Sequence, residues 1–186
     1  MSYQDYDNTI YTTVINAGYS DTLANLLVDQ AHEESTQGGQ PYNNKAFLNG
    51  NNAFGYKYVK GAKYQTADAG DTSSEGNPYA KYPSLENSVL EVLAWLERRQ
   101  KEGKFVIANL QTPTDYANAL KAGDYYGETS AEYATGLSYY AKLFQGTVQN
   151  FYVNNPYTTD LLAGGVLLLV GGIITLRMIK KSKWKY

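Results

Sequence analysis

The sequence contains no cysteine and only one histidine, His32, and these shortages exclude most metal and thiol chemistry. Without cysteine the chain cannot form disulfides, bind zinc or iron–sulfur clusters through thiolates, or use a thiol nucleophile. A lone histidine also leaves no partner for a His-based metal site or a Ser–His–Asp relay. We therefore expect no metal and no cofactor, and we expect any chemistry to depend on carboxylates, tyrosines and amides.

Basic residues are scarce except at the end of the chain. All 18 acidic residues lie at or before Asp160, and up to that point only 11 basic residues balance them. The other five basic residues are Arg177, Lys180, Lys181, Lys183 and Lys185. Nucleic-acid binding needs a clustered basic face, so we expect none in the body of the protein. The length of 186 residues allows one domain and an appendage, and is too short for two full domains.

One long apolar run, residues 161–179, stands out from the polar body. It is uncharged through Leu176 and reaches Ile179 if Arg177 extends towards the lipid headgroups. At ~1.5 Å per residue the run spans roughly 28 Å, close to a ~30 Å hydrocarbon core. We predict a linker at 151–160, one transmembrane helix at 161–179 and a basic tail at 180–186, the alternative being a buried core helix. The positive-inside rule then puts the body on the outer side of the membrane.

Export of the body is not explained by the first residues, 1–14, which have neither a basic region nor an apolar stretch typical of a signal peptide. Assembly into the internal membrane of a virus particle, post-translational insertion or another export route would each account for the orientation. Glycine pairs at 164–165 and 171–172 form a smooth stripe on the apolar helix. Either other virion membrane or capsid proteins contact this stripe, or glycine is simply tolerated there.

Helix caps and apolar spacing predict a mainly helical body within residues 1–150. Segments 38–52 and 64–78 are rich in Gly, Asn, Gln, Ser and Asp, which predicts loops around a small β-excursion. The predicted helix starts are Ser20 with Asp21, Ser84, Thr112 or Thr114, and Ser130.

Adjacent Glu33 and Glu34 end the first of these predicted helices. At ~100° per residue Glu34 lies about 20° from Leu23 and Leu27, whereas Glu33 lies roughly 80° to 120° away. Partial burial would raise the pKa of Glu34, as a general acid requires, and leave Glu33 an ordinary exposed acid. The alternative is that both are solvated at the helix end. His32 points about 140° from Leu27, so we expect it to be exposed or at a cleft edge.

The chain contains 19 tyrosines, about one residue in ten. A tyrosine offers a flat apolar face and a hydroxyl, a combination that suits a groove stacking on sugar rings. We expect a minority of the tyrosines to line such a groove and the rest to pack in the core or lie on the surface.

Three short motifs occur in the order found in one enzyme family. QAHEES at 30–35, NNAFGYK at 51–57 and YAKYPSLENS at 79–88 resemble the QAxxE[ST] helix end, NNxFG turn and YxxYxS segment of the glucosaminidase family of bacterial autolysins and phage lysins, glycoside hydrolase family 73. The stretch 116–140 is similar to the closing helices of that family, so the resemblance covers about residues 10–145. Thr36 stands where the family usually has glycine. The resemblance implies a lysozyme-like helical domain with a small β-lobe.

The resemblance also implies roles for individual residues. Glu34 matches the catalytic acid of the family, and Tyr82 matches a cleft tyrosine that holds the N-acetyl group or steadies positive charge. A structural turn beneath the cleft is the alternative role for NNAFG. The candidates for substrate contact are Asn52, Phe54, Tyr79 and Tyr125.

Glycoside hydrolysis usually needs a second carboxylate, which in this family lies on the β-lobe. Asp68 best resembles the T-x-[DE] position, with Asp71 and Glu75 as other candidates. If none is close, the acetamido oxygen of the substrate could act as nucleophile. The sequence leaves these routes open.

The resemblance and the apolar run together predict a membrane-anchored endo-β-N-acetylglucosaminidase that cleaves peptidoglycan. We expect a phage virion lysin acting on the host wall, located in the internal membrane of the virion or in the bacterial inner membrane. The alternatives are a lytic transglycosylase and an inactive, wall-binding structural protein of the virion membrane.

Overall fold

A computed structural model describes residues 2–73, 76–127 and 129–154, with residues 71 and 143–154 described by their backbone alone. The element order is α1 (Tyr3–Asn16), α2 (Asp21–Ser35), α3 (Lys45–Gly50), β1 (Ala67–Thr72), β2 (Pro78–Lys81), α4 (Leu85–Lys101), a short 3₁₀ turn (Ile107–Asn109), α5 (Pro113–Ala122) and α6 (Ser130–Asn154). This order confirms the prediction of a mainly helical fold with a small sheet.

Residues 1–145 form one compact unit, which contains Glu34 and the side chains around it. Residues 146–186 form a second unit, of which the described part, 146–154, is helical. The transmembrane helix predicted at 161–179 lies outside the described residues. None of the helices within the described part of the chain has the length and apolarity that crossing a membrane requires.

The first helix, α1, was not predicted from the sequence. Its start is fixed by a capping box in which Ser2 Oγ accepts from Asp5 N and Asp5 accepts from Ser2 N. Ile10 and Val14, one turn apart, are fully buried where α1 packs on α2 and α4. The apolar stripe is short and is continued by buried Asp7, so its periodicity is too weak to indicate a helix.

The four predicted helices are present as α2, α4, α5 and α6. Ser20 Oγ accepts from Leu23 N at 3.2 Å at the start of α2. Thr112 caps α5 in the same way, with Pro113 in the first turn where no amide hydrogen bond is lost. Ser84 precedes α4 without a side-chain cap bond, and α6 begins at Ser130. Thr129 Oγ1 accepts from Glu132 N at 3.3 Å at the start of α6, so local hydrogen bonding determines three of these helix starts directly.

The hydrophobic core lies between the long helices. Leu27, Val89, Leu96, Leu120 and Leu137 come from α2, α4, α5 and α6, and each is fully buried. Burying one such side chain contributes roughly 1.5 to 3 kcal/mol relative to leaving it exposed. The core thus fixes the arrangement of the helices that carry the site.

Segment 38–52 was expected to be a loop, but it contains the short helix α3. Asn44 Oδ1 caps this helix by accepting from Phe47 N at 2.9 Å. The short length of α3 and its glycine- and asparagine-rich flanks hide it in the sequence.

The predicted β-excursion is a two-stranded antiparallel sheet with Ala67 opposite Lys81 and Asp68 opposite Ala80. It packs on α3 at Gly50, where an added Cβ would lie 2.9 Å from the carbonyl oxygen of Ala80. Only glycine allows this approach, because a side chain would meet backbone that cannot move aside. The Gly50 carbonyl also accepts from Tyr82 N at 2.8 Å, which joins the sheet to the helical body.

His32 is fully buried, which corrects the expectation of an exposed or cleft-edge histidine. Its Nε2 lies 2.6 Å from Oδ1 of Asp7, and Asp7 is 1% exposed. The helical position of His32 relative to Leu27 was read correctly, but α1 covers that side of α2. Burial of this histidine is therefore a consequence of a helix that the sequence did not reveal.

Asp29 on α2 is 9% exposed, and burial together with the charge of Asp7 raises its pKa to about 7. Because the folded state holds this proton more tightly than the unfolded state, the stabilisation is complete below about pH 4 and is lost as pH rises through 7. We expect Asp29→Asn to gain stability over the wild type by about 2 to 4 kcal/mol between pH 4 and pH 7.5. Urea unfolding of both chains across this range measures the difference, and a constant difference would contradict it.

Candidate active site

Glu34 lies in the last turn of α2, where three segments of the chain meet. Its side chain is half-buried, and its Oε1 accepts a hydrogen bond of 2.6 Å from the hydroxyl of Tyr133 on α6. Its backbone carbonyl accepts from Asn44 Nδ2, also at 2.6 Å. Both the carboxyl group and the backbone of Glu34 are therefore held by residues from other elements.

The turn at 51–57 packs directly against the other carboxylate oxygen of Glu34. Gly55 has a φ of 66°, and an added Cβ would lie 2.9 Å from Glu34 Oε2. Asn52 is fully buried, and its side chain donates to the carbonyls of Tyr56 and Ala80 and accepts from Tyr56 N. Asn52 therefore holds the turn, which is the structural role that the sequence analysis left open as an alternative to sugar contact.

Phe54 and Tyr125 are brought next to Glu34 by this same turn. Phe54 is 1% exposed, and its carbonyl accepts a hydrogen bond from the hydroxyl of Tyr125. Tyr125 is half-buried and makes an edge contact with Tyr56. Phe54 is therefore a buried packing residue of the turn, whereas part of the Tyr125 side chain is accessible to a ligand.

Tyrosines surround the carboxyl group of Glu34. Tyr133 stacks on Tyr126 with ring centroids 4.2 Å apart, and Tyr116 donates to Gln30 Oε1 at 2.6 Å. Burial, and then the negative charge of Glu34, raise the pKa values of Tyr125 and Tyr133 well above that of free tyrosine. These phenols therefore stay protonated and donate hydrogen bonds without competing for the proton of an acid.

Glu33 is not the ordinary exposed acid that was expected. It is half-buried, and a Cβ added at Gly136 of α6 would lie 2.5 Å from Glu33 Oε2. Gly136 lies one turn beyond Tyr133, so α6 passes over the end of α2 and contacts both glutamates. Helical geometry within α2 could not reveal this contact.

The remaining predicted site residues within the described part of the chain lie on the two-stranded sheet or next to it. Asp68 on β1 is exposed, and its Oδ1 accepts from Gly70 N at 2.9 Å. Asp71 lies in the same strand, and Glu75 lies outside the described residues. Tyr79 is half-buried, with Lys57 Nζ 3.8 Å from its ring centroid, so one ring face is already occupied.

Tyr82 follows β2 and is 1% exposed. Its backbone amide and carbonyl bond Gly50 and Asn51, so it sits where α3 joins the sheet. Burial raises the pKa of its hydroxyl well above the ordinary value, with the charge of Glu91 as a further cause. A sugar could reach Tyr82 only if the sheet moved away from the body.

Three residues around Glu34 were not predicted from the sequence, namely Tyr133, Tyr116 and Asn44. Tyr133 lies one turn before Leu137, and both are buried, so their spacing in the sequence indicates packing but not the hydrogen bond of the Tyr133 hydroxyl. The available signal was the similarity of 116–140 to the closing helices of the resembled family. No group of three or more acidic or histidine side chains among the described residues could hold a metal ion.

The mainly helical body with a small sheet agrees with the fold that the resemblance implies, and Glu34 is a half-buried carboxyl group at the end of a helix. Comparison with known families gives a more specific result. The family model Glucosaminidase, described as mannosyl-glycoprotein endo-beta-N-acetylglucosaminidase, matches residues 13–151. The chain belongs to this family and is a glycoside hydrolase that acts on peptidoglycan.

Neither the curated proteins nor the solved structures include a match to this chain.

The departure from the resembled pattern at Thr36 is accommodated by the backbone. Thr36 ends α2 with φ −71° and ψ 131°, an extended conformation that any residue adopts. Threonine in place of glycine therefore introduces no backbone strain at the helix exit.

The close approach of Gly55 to Glu34 predicts a loss of activity that stability does not explain. Gly55→Ala would strain a positive φ and push its Cβ against the end of the Glu34 side chain, which would rotate away and lose the hydrogen bond from Tyr133. We expect hydrolysis to fall at least tenfold because the acid is displaced. Release of reducing ends from peptidoglycan measures this loss.

Gly61→Ala is the matched control, because Gly61 has a φ of 84° with nothing within 4 Å of an added Cβ. We expect a similar loss of stability, about 1 kcal/mol, with activity within twofold of wild type. Equal activity losses in the two variants would mean that the contact with Glu34 is unimportant.

Proposed function

We propose that the chain is an endo-β-N-acetylglucosaminidase that cleaves the β-1,4 bond after N-acetylglucosamine in the peptidoglycan strand. Glu34 is the general acid in this proposal. The observation that supports it best is the position of the Glu34 carboxyl group, half-buried between Tyr133 and Gly55. Partial desolvation disfavours the ionised form of the carboxyl group, which suits proton donation to a leaving oxygen, and the bond from Tyr133 fixes the position of the group.

The reaction requires a proton on Glu34 at the start. That proton passes to the glycosidic oxygen as the bond from C1 to this oxygen breaks, and positive charge develops on the sugar ring. Water then supplies the new hydroxyl at C1 and returns a proton to the enzyme. The neighbouring phenols remain neutral throughout because the pKa of Tyr133 is raised well above its usual range.

In this proposal, residues of the two-stranded sheet stabilise the positive charge on the sugar ring. Asp68 is exposed on β1 and is the proposed second carboxylate, and the acetamido oxygen of the substrate is the alternative nucleophile. Tyr82 is proposed to support this side of the cleft, and Tyr79 and Tyr125 to contact the sugar through their accessible faces. Approach of the sheet to bound substrate would bring Asp68 towards the ring.

Glu34→Gln tests the assignment of the acid. Glutamine keeps the size and can still accept from Tyr133, but its amide protons are not acidic enough to be transferred, so we expect activity to fall by about 10² to 10⁴. Renaturation of the chain in a gel containing peptidoglycan, followed by measurement of clearing, detects the loss. Glu33→Gln changes the adjacent carboxyl group and should retain activity within about threefold.

Clearing by Glu34→Gln equal to that of the wild type would remove Glu34 from the mechanism. Mass spectrometry of the wild-type products tests the bond and the reaction. Reducing N-acetylglucosamine ends support the proposal, 1,6-anhydromuramic ends indicate a lytic transglycosylase, and no products at all favour a wall-binding structural protein.

We further propose that residues 161–179 anchor the enzyme in a membrane, and that it is carried in the internal membrane of a phage virion to open the host wall. The support is the uncharged run followed by five basic residues and Trp184. An anchor on the outer side of a membrane would keep the enzyme beside an insoluble polymer. The basic tail would then face the packaged genome, and the glycine stripe would contact other virion membrane proteins.

Introducing charge into the run tests the anchor. Two arginines at the centre, Leu168→Arg with Leu169→Arg, cost about 5 to 7 kcal/mol on insertion scales. We expect the wild type to stay with the membrane after carbonate extraction and this variant to be released. Leu48→Arg, at an exposed site in the body, should behave as the wild type. Release of all three chains alike would contradict the anchor.

A further inference from the structure

The helix α1 lies almost entirely before the segment that matches the family, because α1 covers residues 3–16 and the match begins at residue 13. Asp7 of α1 is nevertheless 1% exposed, deep in contact with the matched region. Burying a carboxylate lowers the free energy of unfolding by several kcal/mol unless the group is hydrogen-bonded. The burial of Asp7 therefore needs compensating contacts.

The Asp7 carboxylate joins two segments that lead to Glu34. Its Oδ1 accepts from His32 Nε2 at 2.6 Å and from the Tyr42 hydroxyl at 2.5 Å. His32 lies two residues before Glu34 on α2, and Tyr42 lies in the segment between α2 and α3. His32 is fully buried and Tyr42 is 3% exposed, so solvent does not replace these bonds when they are lost.

The contacts continue from Tyr42 to the end of α2. Tyr42 N donates to Ser35 Oγ at 2.9 Å, and the amides of Asn43 and Asn44 donate to the carbonyl of Ser35. Asn44 then bonds the carbonyl of Glu34. The segment held by Asp7 is therefore the one that fixes the backbone of Glu34.

A second route passes through α6. The ring of His32 makes an edge contact with Tyr140 at a centroid distance of 5.9 Å. Tyr140 lies two turns after Tyr133, whose hydroxyl bonds the Glu34 carboxyl group. Asn44 is thus connected to the cluster of Asp7, His32 and Tyr42 through Ser35 and the backbone of residues 42–44, and Tyr133 through the helix that it shares with Tyr140.

We propose that Asp7 is a positioning residue for Glu34, so that a side chain preceding the family match contributes to catalysis. It acts through His32 and Tyr42 and touches no substrate. This inference rests on the proposed role of Glu34. Its test therefore includes a readout that does not depend on turnover.

The experiment uses the full-length chain carrying ¹³C-labelled glutamate carboxyl groups, with the Glu34 signal assigned by its disappearance in Glu34→Gln. We expect Asp7→Ala to move the Glu34 signal at fixed pH and to lower kcat at least tenfold with KM within twofold. Asp7→Asn keeps an acceptor oxygen, so its loss of kcat and its shift of the Glu34 signal should each be at most half of those in Asp7→Ala. Tyr42→Phe removes one hydrogen bond without changing charge and should lower kcat about threefold and move the signal in the same direction.

Val14→Ala is the matched control, because Val14 is a fully buried residue of α1 that makes no contact with the cluster through hydrogen bonds. It should lower the melting temperature but leave kcat and the Glu34 signal unchanged, with all chains measured where circular dichroism shows them folded. If Asp7→Ala does not fold, kcat and the Glu34 signal of Tyr42→Phe decide whether the cluster positions Glu34.

The proposal is overturned if Val14→Ala acts like Asp7→Ala, or if Tyr42→Phe changes neither readout. It is also overturned if Asp7→Asn is as impaired as Asp7→Ala, because the effect would then follow charge and not position. A wild-type chain that cleaves no peptidoglycan would refute the proposed function, while the Glu34 signal would still decide the role of Asp7.

Discussion

The site depends on keeping one carboxyl group partly out of water at a fixed position. Glu34 receives its hydrogen bond from Tyr133, 99 residues later in the chain, and rests against Gly55 in a turn between α3 and the sheet. A carboxyl group at the end of an isolated helix would be fully solvated. The environment that the proposed proton donation needs therefore exists only when α6 and this turn are both in place.

Tyrosine is well suited to such a site. Its hydroxyl satisfies a buried oxygen, and its ring supplies apolar surface that excludes water. Because burial and the charge of Glu34 raise the pKa values of Tyr125 and Tyr133, these residues donate hydrogen bonds but do not exchange protons with the acid. Histidine or lysine in the same places would add charges that compete with Glu34. The high tyrosine content thus has a chemical use at least around this carboxyl group.

The body and the sheet contribute differently to the proposed reaction. The acid belongs to the rigid helical core, whereas Asp68 and Tyr79 are on a two-stranded sheet joined to that core through Gly50 and Asn51. A two-stranded sheet has little stability of its own and depends on its contact with α3. In the proposed reaction the polymer would lie between Glu34 and this sheet.

The sequence alone determined the features that rest on local chemistry or on a short motif. Caps at Ser20 and Thr112 predicted helix starts correctly, because each hydroxyl bonds an amide three residues away. The ordered motifs predicted the family. Tertiary structure decided the burial of His32, the contact of Glu33 with Gly136 and the partners of Glu34. Burial depends on which other elements cover a helix face, and α1 and α6 approach α2 from parts of the chain that its own periodicity cannot report.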